Sequence, residues 1–247
     1  FVLIAVVLVY IININFFTPN PYYFSFRVDE NYQPIAATRF IKEVGLKGNM
    51  YNDGHFGGYL AFHLYPERKI LYMYNYPEVF NSVIQQLHNT KFLEGFNINY
   101  AITEDIGWLK LLFPNIRFVP VLWDTAAVVA LRDAPENRLL IDKYGLKYYL
   151  PGIGADELKT LESRPDVLPV LIGEISNSLA FGNNIPLADH LGALLIKNEN
   201  KISPSEGAII SKKALKYNEK SAYLWASLGS FSYRAGDKDS ALSAFKK

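Results

Sequence analysis

Between Pro34 and Tyr144 the apolar pattern switches repeatedly from a helical period to a strand period, and that alternation leaves few folds open. Residues 34–44 begin with a proline suited to a helix's first turn, carry apolar positions at helical spacing and stop at Gly45. A strand is expected over residues 48–52, a helix over 56–65 closed by Pro66, and a strand over 69–74. Residues 77–88 form an amphipathic pattern with Val79, Val83, Ile84 and Leu87 on one face. A strand over 97–103 follows, then a helix capped by Asp105 that runs through Leu112 and ends at Pro114. Residues 116–123 and 126–132 read as two strands turned at Asp124 and Thr125, and 137–144 as a helix. Alternation of this kind predicts a three-layer, mainly parallel α/β domain over residues 30–150, with an antiparallel pair at its edge.

Beyond the turn at 151–154 no strand pattern returns. Helices are expected over 155–163, 167–181, 187–197, 205–217 and 221–234, with a last one starting at Asp237; residues 151–186 form a connector and 187–247 a set of hairpins. The final stretch resembles a tetratricopeptide (TPR) repeat: Trp225, Leu228 and Gly229, then Gly236, Ala241 and Phe245 fall at that family's spacing. Small residues such as Gly229 and Ala241 let helices approach, while Trp225 and Phe245 fill the seam. The family's next aromatic position falls on Ser232, between Phe231 and Tyr233, and Ala214 occupies the matching small position of a degenerate preceding repeat. An ordinary helical hairpin is the alternative. Lys247 falls inside a repeat, so the C-terminus is expected to be truncated.

Residues 1–12 are an unbroken apolar run, and no charged residue precedes Arg27. A membrane span takes about 20 apolar residues, so residues 1–17 are expected to be the end of a transmembrane helix and 18–29 a linker. A signal peptide or a buried core segment are the competing readings. Phe16, Phe17, Tyr22, Tyr23 and Phe24 cluster just past the run, where amphipathic rings favour the lipid boundary, and that flank lacks Lys and Arg. The chain after about residue 17 is therefore expected on the extracytoplasmic face of the inner membrane.

Charge and composition narrow the chemistry. With 25 Lys and Arg against 24 Asp and Glu the formal net charge is +1, which argues against nucleic acid as a partner. There is no cysteine, so no disulfide framework and no thiol nucleophile. The four histidines, His55, His63, His88 and His190, show no ligand spacing, so neither a metal nor another cofactor is expected. No catalytic constellation is visible. The candidate ligand loop joins the first strand to the next helix: Asn52, Asp53 and His55 can hydrogen-bond a polar ligand there, Gly57 and Gly58 allow close approach, and Tyr59 adds a ring. The structural alternative has Asn52 or Asp53 capping a helix and the glycines packing it tightly on the sheet. Glu104 and Asp105 follow another strand and can reach the same rim, although Asp105 is already explained as a cap.

The order of these parts resembles the end of a bacterial polytopic membrane protein of the GT-C glycosyltransferase-like type. The likeness rests on the membrane run, the helix carrying Ala36, Phe40, Ile41 and Lys42, and the stretch from Gly48 through Asp53 into Phe56, Gly57, Gly58, Tyr59 and Leu60. Residues 64–69 and 127–132 fit it too, so that it covers residues 1–145. The layout is also similar to oligosaccharyltransferase catalytic subunits, but residues 51–54 lack both tryptophans of their Trp-Trp-Asp-Tyr-Gly acceptor motif. The resemblance implies an extracytoplasmic accessory domain, non-catalytic by itself, of a protein that transfers sugar from a lipid-linked donor using carboxylates upstream. The partners it implies are the membrane, a glycan or lipid-linked sugar, and a protein or peptide at the repeats. The alternative is a non-enzymatic, membrane-tethered TPR scaffold for envelope proteins.

Overall fold

A computed structural model describes residues 32–71, 95–124 and 126–247. The expected membrane segment (1–17), the linker (18–29), the helix over 77–88 and the second half (72–74) of the strand over 69–74 lie outside those residues. Among the described residues, no helix is long and apolar enough to cross a membrane.

Helix α1 (Ile35–Val44) follows Pro34 and buries Ala36, Ala37, Phe40 and Ile41, the stripe its sequence period predicts. Gly45 ends it in the left-handed region (φ 66°), its N–H reaching back to the carbonyls of Ile41 and Lys42. Strand β1 (Asn49–Asn52) leads through a single 3-10 turn into α2 (Gly57–Leu64). Strand β2 (Ile98–Thr103) then feeds α3 (Ile106–Leu112), whose first turn is held by Asp105 Oδ1 accepting the Gly107 N–H at 2.7 Å. Strands β3 (Phe118–Trp123) and β4 (Val128–Arg132) form the expected hairpin, and Asp124 Oδ1 accepts the N–H groups of Ala126 and Ala127 at its turn. Helix α4 (Arg138–Tyr144) closes the domain.

The sheet order is β1-β2-β4-β3. Strands β1 and β2 pair parallel, but β4 pairs antiparallel with both β2 and β3. The expectation of a mainly parallel sheet is therefore corrected: among the described residues the sheet is mixed. The reason is local. Strand β3 runs parallel to β2 one place away, and the tight Asp124 turn folds β4 back into the gap. Val128, Val129, Ala130 and Leu131 are all fully buried, as a strand covered on both faces requires. Met50, Tyr100, Ile102, Val129 and Leu131 face α1, α2 and α4; Tyr51, Ala101 and Ala130 face α3 through Leu109 and Phe113. Helices thus cover both faces of the sheet.

Six helices follow: α5 (Ala155–Glu162), α6 (Leu168–Leu179), α7 (Ile185–Lys197), α8 (Pro204–Leu215), α9 (Ala222–Arg234) and α10 (Lys238–Phe245). Their starts are chemically marked. Asn184, Ser203, Ser221 and Asp237 each accept a backbone N–H of the first turn, and Pro169, Pro186 and Pro204 occupy first-turn positions. Leu171 and Ile175 of α6 share one apolar core with Leu191 and Leu195 of α7 and Leu224 and Phe231 of α9, so the core crosses position 186 without a break.

The two halves are joined by polar and aromatic contacts. The buried Glu174 carboxylate of α6 accepts the N–H groups of Lys147 (2.8 Å), Tyr148 (3.0 Å) and Tyr149 (2.7 Å). Arg39 donates to the Phe181 carbonyl at 2.7 Å, and the Phe40 ring meets Phe181 edge-on at 5.0 Å.

Candidate functional site

The candidate loop lies where the parallel strands β1 and β2 end, the position at which α/β sheets most often hold ligands. Asn52, the last residue of β1, is fully buried; its Nδ2 donates to the Asp53 carbonyl (3.0 Å) and its Oδ1 accepts the Leu71 N–H (3.1 Å). Asp53 reaches across to the end of β2. Its Oδ2 accepts from the Thr103 hydroxyl at 2.9 Å and from the Glu104 N–H at 2.8 Å. Burial raises the Asp53 carboxyl above the usual carboxylate range, against the opposing pull of those hydrogen bonds and of nearby His55.

Neither Asn52 nor Asp53 caps a helix through its side chain, which corrects one expectation. Both instead satisfy polar groups of neighbouring segments that the local sequence does not reveal. Gly58 corrects another: it is exposed, and a Cβ built on it would meet nothing, so tight packing does not explain it. Gly57, by contrast, is buried at the start of α2.

At the rim itself, His55 Nε2 lies 2.9 Å from Glu104 Oε1, with side chains 34% and 60% exposed. The His55 ring tilts over Phe56 at 3.9 Å, and Tyr59 stacks on His63 at 4.3 Å. Adjacent residues therefore divide their work: Asp105 caps α3 while Glu104 pairs with His55. The fold brings Asp53, His55 and Glu104 to one edge, with Tyr59 one turn into α2. The sequence already offers Glu104 to this rim because it follows another strand; the parallel pairing of β1 with β2 is what brings it to His55. The arrangement offers a carboxylate-oriented imidazole and an accessible carboxylate, which is hydrogen-bonding equipment for a polar ligand. Among the described residues no group of His, Cys, Asp and Glu is placed to hold a metal ion.

The repeat-like residues lie far down the chain. Trp225 Nε1 donates to the Glu219 carbonyl at 2.7 Å, Ala241 is buried, and Leu228 packs at the edge of the helical core. Gly236 turns the chain between α9 and α10 at φ 86°, a conformation that favours glycine. A Cβ on Gly229 would stand 2.5 Å from the Phe245 ring. Buried Phe231 fills the space that Gly207 leaves, whereas Tyr233 is 64% exposed. Gly192 and Gly207, absent from the sequence reading, are close-approach points as well.

Fold and rim together define a mixed α/β domain with a polar strand-end edge, continued by stacked helical hairpins. No family model, curated protein or solved structure matches the chain.

Proposed function

We propose that the chain is the extracytoplasmic, non-catalytic part of a membrane-bound GT-C glycosyltransferase-like protein, in which the strand-end rim holds a polar acceptor and the TPR-like hairpins engage a protein or peptide. In this reading residues 1–17 end a transmembrane helix of the inner membrane, and sugar transfer from a lipid-linked donor is performed upstream. The observation that carries it is the convergence of Asp53, His55 and Glu104 at the ends of β1 and β2, with Tyr59 following on α2. Hydroxyl-rich acceptors are recognised by such polar pairs beside an aromatic face. In the full-length protein, His55→Ala and Glu104→Ala should each raise the acceptor KM about tenfold at unchanged kcat, the signature of lost ground-state binding. Unaltered acceptor kinetics in both variants would remove the rim from the mechanism.

The second reading, a membrane-tethered scaffold without enzymatic activity, is favoured by α9, which presents Tyr223 and Tyr233 at 53% and 64% exposure. Repeat arrays bind partners through such exposed faces. Tyr223→Ala with Tyr233→Ala would then abolish capture of an envelope partner while glycan synthesis continued. These surface variants are better tests than deleting residues 187–247, because α6 shares its core with α7 and α9.

A further inference from the structure

A cavity of about 460 Å³ opens at the other ends of β1 and β2, away from the rim, between the turn after α1, the start of β2 and the residues that lead into α4. Its volume falls in the range of small-molecule sites, about 300–1,000 Å³. Asn49, Asn97, Asn99 and Asn137 all line it, together with one cation, Lys47, and one anion, Glu136.

The floor is made of carboxamides that hold one another. Asn137 is buried, and its Nδ2 donates to Asn99 Oδ1 at 2.9 Å while Asn99 Nδ2 returns the bond to Asn137 Oδ1 at 3.3 Å. Asn99 Nδ2 also donates to the Lys47 carbonyl at 2.8 Å, and Asn137 Nδ2 to the Arg132 carbonyl at 2.9 Å. Gly48, at φ 92°, lets the turn come this close, because a Cβ there would stand 2.8 Å from Asn99 Cβ. These bonds are complete in themselves and make the floor rigid; the ligand's partners lie around it.

The order of those partners is informative. The hydrogen-bonded run goes from Lys47 through Asn99 to Asn137, and Glu136 precedes Asn137, so an ammonium stands on one side of the floor and a carboxylate on the other. Among the described residues neither Lys47 nor Glu136 forms an ion pair, although both line one cavity. Asn97 and Asn49 are each held at one end: Asn97 Oδ1 accepts from Arg132 Nη1 at 2.7 Å, and Asn49 Nδ2 donates to the Phe96 carbonyl at 2.5 Å. The Asn97 NH2 group and the Asn49 oxygen have no hydrogen-bond partner among the described residues, which leaves one donor and one acceptor on the lining. With charges of opposite sign the lining is neutral overall. A bare anion would gain Lys47 and meet Glu136, and a bare cation the reverse.

We propose that this cavity binds a short peptide with free ends, its carboxylate at Lys47, its ammonium at Glu136 and its peptide groups on the amides of Asn97 and Asn49. A peptide group carries one donor and one acceptor, the complement of what those two amides offer. The opposed charges fix the direction in which the peptide lies. Leu46, which is buried, and Leu140, which is half-buried, add apolar surface for its side chains. The site is separate from the rim, and its test does not pass through sugar transfer.

The test is a titration of the full chain with trialanine, N-acetyl-trialanine and trialanine amide, followed through the backbone amide resonances of Gly48 and Asn99, with methyl glucopyranoside as the uncharged comparison. Trialanine should give a saturable shift, and each cap should weaken binding about tenfold through the loss of one charge-assisted contact. Lys47 and Glu136 are exposed, so Lys47→Gln and Glu136→Gln leave the fold intact. In Lys47→Gln the amide-capped peptide should bind as weakly as the free one, and in Glu136→Gln the acetylated peptide should match the free one in the same way. No saturable shift with trialanine, a cap that leaves affinity unchanged, or a cap penalty that survives in its paired variant overturns the proposal. A shift from methyl glucopyranoside with none from trialanine would mark a site for hydroxyl groups and overturns it too.

Discussion

Replacing Glu174 by Gln tests how the helical half is held to the sheet domain. The substitution preserves shape but turns one of two acceptor oxygens into a donor facing buried N–H groups. With the amide oxygen placed where Oε2 now serves Tyr148 and Tyr149, the Lys147 N–H at 2.8 Å loses its acceptor and meets an NH2 group instead. Losing a hydrogen bond to a charged acceptor costs about 1.5–3 kcal/mol, and the two surviving bonds weaken as the acceptor becomes neutral. A loss of about 2–4 kcal/mol follows, and Glu174→Ala, which leaves all three donors without their carboxylate, should lose more. At about 2–4 °C per kcal/mol for a domain of this size, the Gln variant should melt roughly 5–15 °C lower. Urea unfolding followed by circular dichroism gives the free energy, and hydrogen exchange at residues 147–149 gives the site. A Gln variant within about 0.5 kcal/mol of the parent, with those amides still protected, would refute the clamp.

Two glycines should separate sharply in the same assay. A Cβ on Gly192 would stand 2.6 Å from the Leu224 nitrogen, which is backbone and cannot yield, so Gly192→Ala should cost about 2–3 kcal/mol despite its gain in helix propensity. Gly229→Ala meets only the ring of Phe245, a residue 58% exposed and free to shift, and should change stability by less than about 1 kcal/mol. Asp53 gives a pH signature. Its folded pKa is raised above the unfolded value, so the folded chain binds the extra proton and stability falls as pH rises from the ordinary carboxylate range through the folded pKa. Asp53→Asn mimics the protonated form and should flatten that part of the stability profile; a profile parallel to the parent's from pH 3 to 6 would contradict the assignment.

What local chemistry determines was legible. Helix starts at Asp105, Ser221 and Asp237 were readable because a capping side chain and the donors it satisfies lie within three residues of each other. The hairpin at Asp124 was readable for the same reason. Partnerships across the fold were not. Asp53 finds Thr103 only because β1 and β2 lie side by side, and Glu174 finds Lys147 only because α6 returns to the sheet domain. Neither pairing leaves a mark in the spacing. Strand order is an intermediate case: the uninterrupted apolar run from Val128 to Leu131 signalled a strand buried on both faces, which an edge hairpin strand cannot be. A strand of that composition belongs inside the sheet, and β4 inside makes the sheet mixed.

The proposal as a whole turns on which side of a membrane the α/β domain occupies. The chain has no cysteine, so one introduced thiol reports its side without interference from within the chain. Lys159 is exposed on α5, and Lys159→Cys in the full-length protein can be challenged in intact cells with a membrane-impermeant maleimide, using an unlabelled cytoplasmic thiol protein as the control. Full labelling before permeabilisation is the predicted result. Labelling only after the membrane is opened would put the domain on the other face and contradict the assignment.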